Sequence, residues 1–246
     1  MTVPSPPLLE KVAVVIGMPR AGTTWLYENL KHHPDLCASD YKEINRYLRS
    51  MSDAQYLDHF RGCAGRIMLD ISPAYYFDLA ALGEIAARHR FVILLVREPG
   101  EWIESLAAHV GRYDRKATRM ASEGRYRMAI DRDRTISFDH NTYDHERHLA
   151  QVRTLVGPKL LEIPFALLQS DPLQVLKRIE RYLGVSDHFA PGNFTAAKVN
   201  ARGGRVSPLY AFLVRHGVLT AVAPIVLMIL PRKLVHWLRR RFVYGQ

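Results

Sequence analysis

The chain has 246 residues, 48% of them apolar, and a formal charge of +10. That length fits one large domain, and that apolar share excludes a disordered or fibrous protein. Its two cysteines, Cys37 and Cys63, form no disulfide framework; they could pair, but thiols in a reducing compartment are the simpler expectation.

The first ten residues carry no basic cluster, and the short run VAVVI at 12–16 reads as a strand rather than part of a secretory leader. It is apolar throughout, as expected of a parallel strand buried on both faces. A small-residue turn, GMPRAGTT, follows, and then a helical pattern over 24–32 and another over 54–60. RIMLDIS (66–72) is a second strand, followed by a helix over 78–88. RFVILLVRE (90–98) is a third strand, with a helix over 100–110. Residues 112–142 are polar and weakly periodic, and read as an inserted excursion, helical in part, beside the mouth of a site. A helix over 143–156, a fourth strand in LLEIPFALL (160–168) and a helix over 173–183 complete the series. Strands alternating with helices predict an α/β fold, a P-loop-like three-layer domain with a central parallel sheet flanked by helices. Ligands of such a domain bind at the carboxyl ends of the strands.

The turn after the first strand resembles a phosphate loop. Gly17, Pro19, Ala21 and Gly22 bend the chain into a helix whose N-terminal N–H groups point at one spot. Thr23 and Thr24 add hydroxyl donors and Arg20 a permanent cation. A Walker loop needs a lysine where Thr23 stands, so nucleotide hydrolysis is poorly supported. At the end of another strand comes VREPGEWIES: Arg97, then Pro99, then Ser105 two helical turns further on.

Together these two motifs resemble those of the sulfotransferases that use 3′-phosphoadenylyl sulfate (PAPS). That family shows Pro-Lys-x-Gly-Thr-Thr-Trp or Pro-Arg-Ser-Gly-Thr-Thr-Trp, and this chain departs from the second only by Ala21 for Ser. Further segments are similar to the heparan-sulfate or carbohydrate branch: HHPDLCASDYKEINRY, LDISPAYYF, ALLQSDPLQVLKRIERYLGV and KVNARGGRVSP, so the resemblance covers roughly residues 12–210. It implies PAPS as donor, adenosine 3′,5′-bisphosphate as product and no metal. It implies cofactor contacts from Arg20, Ala21, Gly22, Thr23, Thr24 and Trp25 at the 5′ end, and from Arg97 and Ser105 at the 3′-phosphate. Arg202, Gly203, Gly204 and Arg205 would form a basic loop over the nucleotide. Glu43 occupies the position of the family's general base, Lys42 and Arg20 would stabilise sulfuryl and leaving-group charge, and Ser72 and Tyr75 would touch the acceptor. His32, His33 and His109 are alternative bases by intrinsic pKa, but none sits where the histidine-using subclass places its own. Ile71 stands where heparan-type enzymes often carry a lysine, which argues against a heparan-like anionic acceptor.

Residues 1–217 are therefore read as one domain and 218–246 as a basic, apolar C-terminal helical segment. After Asp187 no acidic residue occurs, while Lys198, Arg202, Arg205, Arg215, Arg232, Lys233, Arg239, Arg240 and Arg241 add nine positive charges. The apolar run at 218–230 holds Pro224 and is too short to span a bilayer, which takes about 20 residues. With the basic stretch after it, this segment suits either packing on the domain or peripheral contact with an anionic membrane. The expected location is the cytoplasm, including its membrane surface, with a hydroxyl-bearing acceptor as partner and no nucleic acid. Two rival readings are a P-loop nucleotide kinase and a noncatalytic anion- or membrane-binding module.

Overall fold

Five apolar runs build the central sheet: Val12–Gly17 (β1), Leu36–Ala38 (β2), Ile67–Ile71 (β3), Phe91–Val96 (β4) and Leu160–Pro164 (β7). All pair in parallel, in the order β2-β3-β1-β4-β7. In this computed structural model the described residues are 9–110, 125–129, 135–139 and 142–195. The segment 218–246 and the loop bearing Arg202, Gly203, Gly204 and Arg205 lie outside them.

β1 is buried at all six positions, which is why its sequence is continuously apolar rather than alternating. Val12↔Met68 and Val15↔Ile71 bound its register with β3, and Ala13↔Phe91 and Val15↔Ile93 set it against β4. Helices flank the sheet: Thr23–Leu30 (α1), Asp53–Asp58 (α2), Leu79–Arg88 (α3), Pro99–Val110 (α4), His145–Val156 (α5), Phe165–Ser170 (α6) and Pro172–Leu183 (α7). On α7 the spacing is diagnostic, because Val175, Leu176, Ile179 and Leu183 make one buried stripe against the core.

Among the described residues, four helices start on a side-chain cap. Ser52 accepts from the N–H of Gln55 in a capping box, Asp78 from Ala81, Asp144 from Arg147 and Asp171 from Gln174. Each such cap stabilises its helix by about 1 kcal/mol. The helix α1 has none.

Three expectations are corrected. Within 112–142 the described residues are not helical: Arg125–Ala129 (β5) and Thr135–Asp139 (β6) pair antiparallel, with Tyr126 opposite Phe138 and Met128 opposite Ile136. Alternating polar and apolar residues carry that pairing, a period of two hidden by the many arginines. The run LLEIPFALL is a strand only to Pro164, and Phe165–Ser170 turns helical. Cys37 and Cys63 are joined in a disulfide, their Cα atoms 5.5 Å apart. The bridge ties β2 to the turn before β3, a pairing that two cysteines separated by 26 residues did not announce.

Closing a loop of 26 residues lowers the entropy of the unfolded chain enough to stabilise the fold by about 3 kcal/mol. Urea unfolding with and without reductant should differ by that amount, as should parent and Cys37→Ser without reductant. Superimposable curves would show that the bridge contributes nothing.

Candidate active site

The carboxyl ends of β1, β2, β3, β4 and β7 all open on one edge of the sheet, because the strands are parallel. From β1 the chain runs to the β2–β3 side and from β4 to β7 on the other, so β1 and β4 flank the switch point where such sheets bind ligands.

At Gly17 the β1–β4 register shifts, and the Met18 N–H donates to the Leu95 carbonyl at 2.7 Å. A Cβ on Gly17 would lie 2.7 Å from that of Tyr76, so only glycine lets the strand end approach the Pro73–Phe77 turn. Ala21 N–H donates to the Met18 carbonyl, closing the turn. Gly22 caps α1 at φ 93°, and a Cβ there would meet Leu168 Cδ2 at 2.3 Å. Arg20 is held at φ 65°, a left-handed backbone that costs an ordinary residue roughly 1–2 kcal/mol. Neither a side-chain cap nor an acidic residue occupies the first turn of α1. Its leading N–H groups therefore have no acceptor within the helix, and with the helix dipole they make a site for an anion. Thr23 is buried and Thr24 half-buried beside them.

Arg97 follows β4. One guanidinium nitrogen donates to the Arg20 carbonyl at 2.9 Å, Nε lies 3.5 Å from Glu101, and the group sits 4.4 Å above the Phe165 ring. Trp102 of α4, fully buried, donates its indole N–H to the Pro19 carbonyl at 2.8 Å. The two motifs are thus physically joined, Arg97 and Trp102 both bonding to backbone of the phosphate-type loop. Ser105 lies on the same helix and is buried. Arg97 also lines a cavity of about 240 Å³, with Glu98, His145, Glu162 and Phe165 among the other walls and no residue of the 17–25 loop. A larger groove, about 610 Å³ between α3 and α5, holds no candidate residue, so donor chemistry and not size identifies the site.

Glu43 stands on the loop after β2, its side chain 47% exposed and Oε1 2.5 Å from Lys42 Nζ. Its N–H donates to the Ile71 carbonyl at the end of β3. Glu43 has φ 66° and Asn45 φ 54°, two left-handed residues of which only Asn tolerates that conformation readily. Buried partners hold the loop. Asn45 N–H donates to Ser72 Oγ at 3.0 Å, and Tyr47 O–H donates to His89 Nε2 at 2.5 Å. The His89 Nδ1–H donates to the Val12 carbonyl. Burial lowers the His89 pKa to about 4, so the ring is neutral and able to accept from Tyr47.

Several site expectations need correction. Ser72 and Tyr75 are fully buried, and both hydroxyls bond to Asp70 (2.6 and 3.0 Å) rather than facing an acceptor. The Trp25 indole is buried and donates to the Thr195 carbonyl, leaving only its backbone N–H for an anion. Asn29 also binds Thr195, accepting its N–H at 2.7 Å. His33 has both nitrogens engaged, Nδ1 by Asp35 N–H and Nε2 by the Ser186 carbonyl, while His32 lies at the far end of α1. The His109 side chain is outside the described residues. Sequence reasoning missed Phe165, whose position right after a strand was a usable signal, and Asp70, whose burial inside an apolar strand was the other. Among the described residues no group of three or more His, Cys, Asp or Glu is placed to hold a metal ion, and no helix is long and apolar enough to cross a membrane.

No protein-family model matches the chain, and no curated protein matches it in sequence. Solved structures do match. The sulfotransferase from Alicyclobacillus acidocaldarius is similar at TM-score 0.59 and 17% identity, over 96% of this chain and 97% of that one. The sulfotransferase domain from the Synechococcus PCC 7002 olefin synthase is similar at TM-score 0.50 and 22% identity, over 76% of this chain and 80% of that one. The five-stranded parallel sheet with its flanking helices has the sulfotransferase fold.

Proposed function

We propose that this protein transfers the sulfuryl group of PAPS to a hydroxyl, or an amine, of a carbohydrate, lipid-linked or other small acceptor. The observation that carries the reading is the bond from the Arg97 guanidinium to the Arg20 carbonyl. It sets two cationic anion-binding clusters side by side, suited to the two phosphate ends of one adenosine bisphosphate. The donor set fits that nucleotide: uncapped N–H groups and threonine hydroxyls at one cluster, a guanidinium and the Ser105 helix at the other.

When bound, PAPS supplies an electrophilic sulfuryl group on a phosphate leaving group. The chain's own residues then act by position and charge. Arg20 and the start of α1 oppose the negative charge that grows on the departing phosphate. Arg97 grips the 3′-phosphate and so orients the nucleotide. Glu43, on a loop bonded to the end of β3 beside β1, accepts the hydroxyl proton as the acceptor oxygen attacks. Lys42, 2.5 Å from Glu43, is the cation that can turn to the sulfuryl oxygens. A kinase reading lacks the lysine that grips β- and γ-phosphates.

Arg97→Ala should weaken binding of adenosine 3′,5′-bisphosphate roughly 10- to 100-fold, as expected for losing bonds to a charged group. Binding of AMP should change by less than about threefold; equal losses in a calorimetric titration would reject the 3′-phosphate role. Glu43→Gln should slow transfer by about 100-fold or more, with nucleotide affinity preserved. Release of sulfate from PAPS to water, the simplest hydroxyl acceptor, measures that step, and an unchanged rate would remove Glu43 as base. Sulfate release should also persist in a chelator, whereas a kinase would lose phosphate transfer from ATP without magnesium.

A further inference from the structure

Asp70 is fully buried on β3. Its carboxylate takes three hydroxyl hydrogens, from Ser72 on Oδ1 at 2.6 Å and from Tyr56 and Tyr75 on Oδ2 at 2.9 and 3.0 Å. Burial holds this carboxyl above the ordinary range, although the three hydroxyls oppose the shift. All three hydroxyls are placed as donors to its oxygens. Ser72 has a single hydrogen, and Asp70 holds it. What Ser72 offers on its other side is a lone pair, and the group facing it is the Asn45 N–H at 3.0 Å. Asn45 and Glu43, two residues apart, both stand in left-handed backbone. Glu43 itself bonds to the Ile71 carbonyl, the residue between Asp70 and Ser72.

We infer that Asp70 is a positioning residue for Glu43, acting through the Ser72 hydroxyl to clamp the 43–45 backbone in the conformation that presents the Glu43 carboxylate. This rests on Glu43 as the general base, and it assigns Ser72 to the clamp rather than to the acceptor. Asp70→Asn would leave one carboxyl-type oxygen where two now take three hydroxyl hydrogens, and so loosen the orientation of the Ser72 hydroxyl.

The test combines amide exchange over residues 41–48, read by mass spectrometry, with sulfate release from PAPS to water, in Ser72→Ala, Ser72→Thr and Asp70→Asn, each with and without Glu43→Gln. Ser72→Ala should speed exchange of the Asn45 amide about tenfold or more and slow sulfate release about tenfold. Affinity for adenosine 3′,5′-bisphosphate should stay within about twofold of the parent's. Ser72→Thr, which keeps the hydroxyl, should restore both readouts, and Asp70→Asn, which only loosens its orientation, should shift both in the direction of Ser72→Ala by a smaller factor. In the Glu43→Gln background Ser72→Ala should slow release no further. Equal slowing in both backgrounds, or unchanged Asn45 exchange, would overturn the inference. Should Ser72→Ala fail to fold, the isosteric Asp70→Asn carries the same comparison. A Glu43→Gln variant that releases sulfate at the parent rate would instead overturn the base reading, with Asn45 exchange still deciding whether the clamp exists.

Discussion

The constraint on which the site depends is the placement of β1, paired along both edges and buried at every residue. Because both faces are apolar, alternation cannot fix its register, as it would for a strand with one wet face. The register is set at its end instead, where Gly17 meets Tyr76 without a Cβ between them and Met18 bonds to Leu95. Those two contacts bring the turn after β1 against the turn after β3 and the end of β4. Every candidate group then follows: Arg20 from the first, the Glu43 clamp from the second, Arg97 from the third.

Electrostatics separates this edge from the rest of the molecule. Where α2, α3, α5 and α7 carry side-chain caps on their N-terminal donors, α1 starts at a glycine in left-handed backbone with no acid in its first turn. Arg97 reaches the backbone carbonyl of Arg20, so its permanent cation lies against the loop that carries those donors. Glu101 at 3.5 Å and the Phe165 face at 4.4 Å offset part of that charge. A doubly phosphorylated ligand would offset more, since a phosphate can take bidentate bonds from a guanidinium and N–H bonds from a helix start together.

Much of this was legible in the sequence, for identifiable reasons. Long, continuously apolar runs disclosed β1, β3 and β4, and period-3.6 patterns disclosed six helices within a residue or two of their ends. The phosphate-type loop and the Arg97 motif were readable because their residue types match their chemistry. The three-residue β2 was not, since its pairing with β3 comes from tertiary contact and not from a pattern of its own. Nor was the antiparallel β5–β6 pair, in which arginines alternate with apolar residues. Ser72, Tyr75 and Trp25 were assigned to ligands because a polar group near a motif looks available; only burial and partners show that their hydroxyls and indole are already used.

Asp70 shows how such a used group can still bear on the chemistry. Burying a carboxyl group costs free energy that its hydrogen bonds must offset, and a well-packed apolar residue in its place is often neutral or stabilising. Folding stability alone therefore gives little reason for a carboxylate inside β3. Local geometry gives a better one. Two non-glycine residues stand in left-handed backbone, Glu43 and Asn45, and Glu43, which tolerates it less readily than Asn, needs its neighbours held by an outside partner. A hydroxyl that rotated freely would offer that partner only part of the time. Held by Asp70, the Ser72 hydrogen points one way and its lone pair the other, so the Asn45 N–H always finds an acceptor. The cost of the buried carboxyl and the strain of the loop are then two sides of one arrangement, with the direction of a single hydroxyl hydrogen linking the floor of the sheet to the exposed carboxylate above it.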